Sequence, residues 1–461
     1  MRPSGLARAM LPASTGRFVV GDASHARFVV MSGDTSPLHV DMAYARRTPV
    51  GQCVVHGAHV VLDALACLPG EVLTAHLAQV TAAFRNPVVV GQSLAVAWDL
   101  NGGEWIGTTT SGSLVVAEVR ALPSSDPTAW PVVDSAPPLD SVVAAFVDSE
   151  GLGGLDGAED LVVDCHMAAA GWPGLPPGLI AAVTAVSRIA GLHCPGRQAL
   201  LRGFQIRPGV QSSTVRWHVA RVRHALSFAA VDLSGGVSGS LEVMVRPAPA
   251  EQVSATDASR WMGAAEFAGV RALVVGGSRG LGLLAARLLA AGGGEVVSTS
   301  REGNGEWRAD AALMGLDVTS PSLDAARAIA AFAPTHVLHF ATPPIPRRLG
   351  TPQSPELLAA YDRVYSDGLG WLAAATEADI LLPSSSFVDE RPDGFAEYIA
   401  AKEHAEAVAK SINATTPRIM IERLPMLLTD QTTGATAMTA EGNVEVLLPV
   451  LRRFVAGQWV I

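Results

Sequence analysis

Residues 31–41 read Met31-Ser-Gly-Asp-Thr-Ser-Pro-Leu-His-Val-Asp41, and Val54-Val-His-Gly57 follows farther on. Ser32-Gly33-Asp34 and Ser36-Pro37 are turn formers, so the first string displays an acid and an imidazole on an irregular loop. An imidazole titrating near neutrality beside a carboxylate is a working acid–base pair, here Asp34 and His39. Val54 to Gly57 reads as the opening of a helix. Backbone N–H groups at Gly57, backed by the positive end of that helix, can receive a developing oxyanion.

Around this constellation the chain repeats itself. Ser-Gly-Ser-Leu-Val-Val-Ala-Glu-Val-Arg at 111–120 is echoed by Ser-Gly-Ser-Leu-Glu-Val-Met-Val-Arg at 238–246, and Phe84-Arg-Asn-Pro before Trp98 by Phe204-Gln-Ile-Arg-Pro before Trp217. Each block carries a long apolar helical stretch, 56–68 and 179–192, followed by alternating strands at 88–98 and 215–233. A duplicated α+β unit is expected. Asp164, Cys165 and His166 are adjacent and would alternate faces on a strand, so the second copy has no equivalent of the Asp34–His39 loop and is expected to supply wall. His56 and His59 are expected to be packing residues on their helix. The Pro-rich stretches Pro123–Pro138 and Pro247–Ala255 read as linkers. The expected domains are 1–125, 139–250 and 262–461.

After Arg260 the pattern changes to strand–helix alternation, which implies a parallel sheet covered on both faces, an α/β doubly wound fold. Val275-Gly-Gly-Ser-Arg-Gly-Leu-Gly282 follows one strand and opens a helix, the setting of a dinucleotide turn. Gly276, Ser278, Arg279, Gly280, Leu281 and Gly282 form that turn, where close backbone approach and helix N–H groups suit a pyrophosphate. Downstream, Tyr398 and Lys402 lie one helical turn apart after Ser384, Ser385 and Ser386. An ammonium beside a phenol is expected to lower its pKa and make Tyr398 a proton donor.

Composition fits soluble, well-cored domains. Of 461 residues, 49% are apolar types and only 16% charged, the reverse of a disordered chain. Lys+Arg 33 against Asp+Glu 43 gives a net charge of −10, which argues against a nucleic-acid partner. No run approaches the ~18 apolar residues of a membrane span, and Arg2 and Arg8 precede no continuous apolar core of a secretory signal. Cys53, Cys67, Cys165 and Cys194 stand too far apart for a C-x-x-C motif, so idle thiols in a reducing cytoplasm are expected, and no metal.

The string from Ser32 to Asp41 together with Val54 to Gly57 resembles the signature of the MaoC-like family, R-specific enoyl-thioester hydratases and dehydratases of hot-dog fold. The resemblance covers about the first 120 residues and implies an α+β double hot-dog with the second repeat as its other half. It implies Asp34 and His39 as the catalytic pair and Gly57 as the oxyanion donor. Ser36 stands where the family usually has Asn, Ala58 where it has Met, and Leu62 roughly where it has a helix serine. From about 268 to 445 the chain resembles the short-chain dehydrogenase/reductase family, of Rossmann-type fold. That likeness implies Gly276, Gly280 and Gly282 as cofactor glycines, Ser385 (or Ser386), Tyr398 and Lys402 as catalytic residues, and Asp317 against adenine. Arg279 and Arg301, with no carboxylate ending the second strand at 298–300, imply NADP(H). His339-Phe-Ala-Thr342 replaces the family's Asn-Asn-Ala-Gly, and the helix Asn of its tetrad is replaced near Tyr365–Ser366.

Together these readings predict a bifunctional enzyme: reduction of a 3-ketoacyl thioester, then dehydration of the 3-hydroxyacyl product to the 2-enoyl thioester. The acyl group would ride on an acyl carrier protein or coenzyme A, in an acyl or polyketide-type biosynthesis. The arginine pairs 46–47, 347–348 and 452–453 are candidate receivers of its phosphate, and self-association stays open. Alternatives are the reverse sequence, hydration then oxidation, and a dehydratase whose C-terminal domain binds nucleotide as a scaffold.

Overall fold

The structure, a computed structural model, describes residues 14–73, 76–124, 130–137, 151–210, 212–301, 312–348, 352–433 and 438–459. Arg2, Arg8, residues 125–129 and 138 of the first linker and the expected start of the second repeat at 139 lie outside the described residues. The chain divides into two compact units, residues 1–46 with 52–248, and residues 47–51 with 249–461.

In the first unit, strand β1 (Ser14–Val19) is followed by helices α1 (Asp22–Ser32), α2 (Pro37–Val40) and α3 (Gly57–Ala66). Strands β2 (His76–Phe84), β3 (Ser93–Asn101), β4 (Glu104–Ser111) and β5 (Leu114–Ser124) complete the first repeat. The second repeat runs β6 (Asp156–Asp160), helix α4 (Pro177–Arg188), β7 (Ala199–Pro208), β8 (Thr214–Arg223), β9 (Phe228–Gly235) and β10 (Val237–Val245). All ten strands form one sheet in the order β1-β3-β4-β5-β2-β7-β10-β9-β8-β6, with β2 and β7 antiparallel at its centre. Read outward from that central pair, each half has the same order, so the sheet itself displays the duplication that the Ser-Gly-Ser-Leu echo predicts.

The two long helices are apolar on every side, and such helices belong in the middle of a core. Every residue of α4 from Gly178 to Arg188 is buried, as are seven of the ten in α3. They pack with the inward positions of the strands, Val80, Val96, Val119, Phe204, Leu241 and Val243 among them, in one continuous cluster. Trp130, inside the expected first linker, belongs to this core and donates its indole N–H to Leu77 O (3.0 Å). A large aromatic ring with a satisfied N–H is stabilised more by burial than a linker gains from freedom. Asp164 caps a helix, Cys165–Gly171, accepting from Met167 N (2.9 Å), where a strand had been expected. An Asp followed by residues of high helix propensity, Met-Ala-Ala-Ala, favours that outcome.

The second unit holds six parallel strands: β11 (Arg271–Val275), β12 (Glu295–Ser300), β13 (Ala312–Gly315), β14 (His336–His339), β15 (Asp379–Ser385) and β16 (Ile419–Leu424). Their order is β13-β12-β11-β14-β15-β16, with the direction of winding reversing between β11 and β14. Along β11, Ala272 and Val274 enter one hydrophobic cluster while Leu273 and Val275 enter another. The sheet is therefore covered on both faces, which is why its strands read as unbroken apolar runs. Helix α5 (Gly280–Ala291) follows β11, and helix α6 (Ala396–Asn413) follows β15 after a loop. Among the described residues, no helix is long and apolar enough to cross a membrane.

Candidate functional sites in the two units

Helix α1 ends at Gly33, whose φ of 68° is the left-handed conformation that closes a helix, and its N–H returns to Val29 O (2.9 Å). The chain then turns, and Pro37 starts the single turn α2. His39 thus sits on a short helical turn rather than on the irregular loop expected for it; Pro at the first helical position favours this. Val54 comes alongside: its N–H donates to Leu38 O (3.2 Å), and its carbonyl accepts from His39 Nδ1 (2.6 Å). A carbonyl only accepts, so His39 carries its proton on Nδ1 and keeps a lone pair on Nε2.

Asp34 is 1% exposed. Its Oδ1 accepts from Ser36 N (3.1 Å) and its Oδ2 from Ser187 Oγ (2.6 Å). Its backbone carbonyl accepts from His56 Nε2 (3.0 Å), and that nitrogen lies 3.7 Å from Oδ2. The His56 ring stacks on His39 with centroids 3.7 Å apart, and Phe28 packs against both His56 and His59. Asp34, His39 and His56 bring one polar atom each within 4.8 Å of one another. The structure therefore brings Asp34 and His39 together and adds His56, which helical spacing alone assigned to packing. Its signal in the sequence was its place immediately before Gly57, at the helix cap. As a metal cage the trio is poorly arranged. Two of the ring nitrogens are spent on carbonyls, and nearly parallel rings hold their lone pairs in separate planes.

Burial lowers the pKa of His39, partly offset by Asp34, and lowers that of His56 much further, reinforced by His39 and His25. Both are neutral at physiological pH. His59 is pushed by burial to about 3, while Asp63, 3.6 Å from it, is raised by burial to about 6 even though it accepts from Trp172 Nε1 (2.7 Å). Gly57 is the first residue of α3, and a Cβ there would fall 2.8 Å from the Phe84 ring, so only glycine leaves the helix start open at this point.

In the second unit, the glycine turn runs from β11 into α5. A Cβ on Gly276 would meet Ala341 N at 2.6 Å, and one on Gly282 would meet Gly276 O at 2.4 Å. Such close backbone approach is what a dinucleotide turn demands. Gly280 N donates to Gln252 Oε1 (2.9 Å), Gly276 N to Thr299 Oγ1 (3.3 Å), and the Arg279 guanidinium lies 4.0 Å from Asp430. Ser278 and Leu281 are half-buried on the same turn, and Arg301 is exposed just past β12. Asp317 accepts from Thr319 N (2.9 Å) and Oγ1 (2.7 Å) in the turn after β13.

Ser385, Tyr398 and Lys402 come together: the Ser385 hydroxyl is near enough to the Tyr398 phenol to lower its pKa, and Lys402 Nζ lies 5.8 Å from that ring's centroid. Ser386 instead precedes a short helical turn, Phe387–Glu390. The phenol pKa is raised by burial, with Ser385 working against the shift, so the expected lowering is not met. Lys402 gives the reason. Its Nζ donates to Pro383 O (2.8 Å) and lies 3.8 Å over the Tyr365 ring, and burial brings its pKa down to about 7. An ammonium half-discharged at neutral pH and turned toward Tyr365 stabilises little phenolate. Tyr365, buried on a π-turn (Arg363–Asp367), meets Thr342 Oγ1 at 2.5 Å, and His339 Nε2 donates to Val364 O (2.8 Å) in the same turn. Those residues occupy the positions where Asn was expected by resemblance.

The arginine pairs are engaged: Arg348 with Glu397 (3.6 Å), Arg452 with Glu266 (2.6 Å) and Arg453 with Glu422 (2.8 Å).

Comparison with known proteins finds a family-model match over the first site. No curated protein matches the chain. Among solved structures, the chain is similar to an oxidoreductase of E. coli, yciK, at 17% identity over 42% of this chain and 91% of that one, with a TM-score of 0.36. It is similar to a short chain dehydrogenase of Salmonella enterica serovar Typhi at 16% identity, over 42% and 92%, with a TM-score of 0.36. It is also similar to a gluconate 5-dehydrogenase of Burkholderia cenocepacia in complex with NADP and tartrate, at 23% identity over 37% and 77%, with a TM-score of 0.32. Residues 11–119 match the family model described as MaoC like domain. That range, under half of the chain, contains Asp34, His39, His56 and Gly57.

Proposed function

We propose that the first unit hydrates 2-enoyl thioesters and dehydrates (3R)-hydroxyacyl thioesters, with Asp34 and His39 as the acting pair. The observation that carries this is the fixed tautomer of His39: with Nδ1–H held by Val54 O, Nε2 is a neutral base beside the Asp34 carboxylate. In the dehydrating direction His39 takes the C2 proton, the C3 hydroxyl departs beside Asp34, and the two leave the site together as water. The thioester oxygen gains charge as the C2–H bond breaks, and the amide of Gly57 at the start of α3 stabilises it by about 3 kcal/mol. The same steps reversed add water. The fold reading that goes with this is a double hot-dog, repeats 1–125 and 139–250, in which only the first carries the acid–base loop.

The second unit, 262–461, reads as a reductase of the matching 3-ketoacyl thioester. The order β13-β12-β11-β14-β15-β16 places the Gly276–Gly282 turn at the carboxyl edge of β11, beside the reversal of winding, the usual seat of a dinucleotide. A Cβ on Gly276 or Gly282 would strike backbone, so these glycines permit the tight strand-to-helix turn that receives a dinucleotide pyrophosphate, and the residues present suit NADP(H). Arg279 and Arg301 would hold the 2′-phosphate and Asp317 the adenine. A bound NADPH supplies hydride. Tyr398, beside Ser385, donates the proton to the carbonyl oxygen, and Lys402 orients that end of the site. Reduction and dehydration are consecutive steps on one acyl chain, held on an acyl carrier protein or coenzyme A in the cytoplasm, and tethering raises the effective concentration of the intermediate.

A scaffold role for the second unit is favoured by one observation, the engagement of Gly280 N by Gln252. Mass analysis of products from short 3-ketoacyl thioesters with NADPH distinguishes the two. Accumulation of 3-hydroxyacyl and 2-enoyl species, abolished at the reductive step by Tyr398→Phe, supports the bifunctional enzyme. Failure to consume NADPH, with hydration intact, leaves the scaffold.

A further inference from the structure

We propose that Ser187, on α4 of the second repeat, is a positioning residue for Asp34, so that the repeat lacking an Asp–His loop completes the site of the repeat that has one. This rests on the reading of Asp34 and His39 as the hydratase pair.

Three contacts converge from the end of α4. Ser187 Oγ donates to Asp34 Oδ2 at 2.6 Å across 153 residues of sequence. The next residue, Arg188, is 2% exposed and donates NH1 to Ser32 O (2.7 Å), two residues before Asp34. Arg188 is itself held by Glu159 Oε1 (2.8 Å) and Asp160 O (2.7 Å) on β6. Past Arg188 the helix widens into a π-turn, Ile189–His193, a feature common at functional sites. Gly191 in that turn lies so close that a Cβ would fall 2.6 Å from Asp34 Oδ1.

A buried serine on a helix has an easier partner in its own preceding turn. Thr184, three residues earlier, takes it, donating to Ala181 O (3.0 Å). Ser187 spends its hydroxyl on Asp34 instead. The terminal torsion of Asp is broad and nothing intrinsic fixes the carboxylate plane. Ser36 N on Oδ1 and Ser187 Oγ on Oδ2 pin one oxygen each, which sets the plane of the carboxylate. Charge-assisted hydrogen bonds of this length are the strong ones.

The test is steady-state hydration of crotonyl-coenzyme A by the full chain and by Ser187→Ala, Ser187→Thr and Asp34→Asn, with thermal melting of each. Positioning predicts that Ser187→Ala loses about 10- to 100-fold in kcat, with KM within about twofold and an unchanged melting temperature. Ser187→Thr, which keeps the hydroxyl, should recover most of the loss. Parental kcat in Ser187→Ala while Asp34→Asn is inactive overturns the proposal and leaves the hydratase reading standing. Equal losses in the Ala and Thr variants with lowered melting temperatures also overturn it, by making Ser187 a packing residue. A parent protein without hydration overturns the hydratase reading and this proposal together.

Discussion

The rings of His39 and His56 lie face to face, 3.7 Å between centroids and 24° from parallel. Two imidazolium ions cannot occupy that stack, and burial is the largest cause lowering both pKa values. A base that works as neutral imidazole gains activity as it loses its proton. The kcat/KM for hydration should therefore rise with pH along an acid limb lying below 6.5 and be level by about pH 7. A rate that falls as pH rises through that range would show that His39 acts in its protonated form.

Stability should follow the buried imidazoles too. His59 at about 3 and His339 at about 4, against 6.5 in an unfolded chain, bind fewer protons folded than unfolded. Stability is then fully present above pH 6.5 and is lost as pH falls toward those values, with Asp63, at about 6, offsetting part of it in the first unit. Thermal melts from pH 7 downward should show both units losing melting temperature below 6.5. A melting temperature that stays level down to about pH 4 would contradict the neutral buried state.

Gly191 gives a steric test that leaves every polar group in place. A methyl there would come within 2.6 Å of Oδ1 and 2.9 Å of Oδ2 of Asp34. Gly191→Ala should cost about 1–3 kcal/mol of stability through forced displacement and lower hydration kcat at least about tenfold by shifting the carboxylate. Kinetics and denaturant melts measure both; a Gly191→Ala protein of parental activity would place Asp34 outside the chemistry.

Gln252 makes the opposite prediction for the second unit. Its Oε1 takes the Gly280 N–H that a cofactor phosphate would use. Gln252→Ala removes the competitor and should tighten NADPH binding about 3- to 10-fold, the worth of one hydrogen bond, as read by fluorescence titration. Weaker binding would make Gln252 part of the cofactor's cradle instead.

How far these sites could be read from the sequence depended on the distance over which each feature is encoded. The duplication was legible because strand alternation and the Ser-Gly-Ser-Leu echo are local, and the parallel sheet because Ala272–Val275 is apolar on both faces. Asp34, His39 and Gly57 fall within one short stretch, and Ser385, Tyr398 and Lys402 keep fixed spacings. Ser187 and Gly191 were invisible, since each looks like an ordinary member of a buried helix until the fold brings it to Asp34. His56 is buried and packed, as its place on an apolar helix leads one to expect, but the sequence does not show that it packs on the ring of His39. The phenol of Tyr398 was misjudged because spacing places Lys402 one turn away without revealing that Pro383 and Tyr365 hold its ammonium.

The central claim is that Asp34 and His39 act together on one acyl thioester, and it is met most directly by hydration of crotonyl-coenzyme A followed by mass and chiral analysis. The account predicts (R)-3-hydroxybutyryl-coenzyme A from the parent, with Asp34→Asn and His39→Gln each at least about 100-fold slower and still folded. Parental rates in either variant, or no hydrated product from the parent, would contradict it.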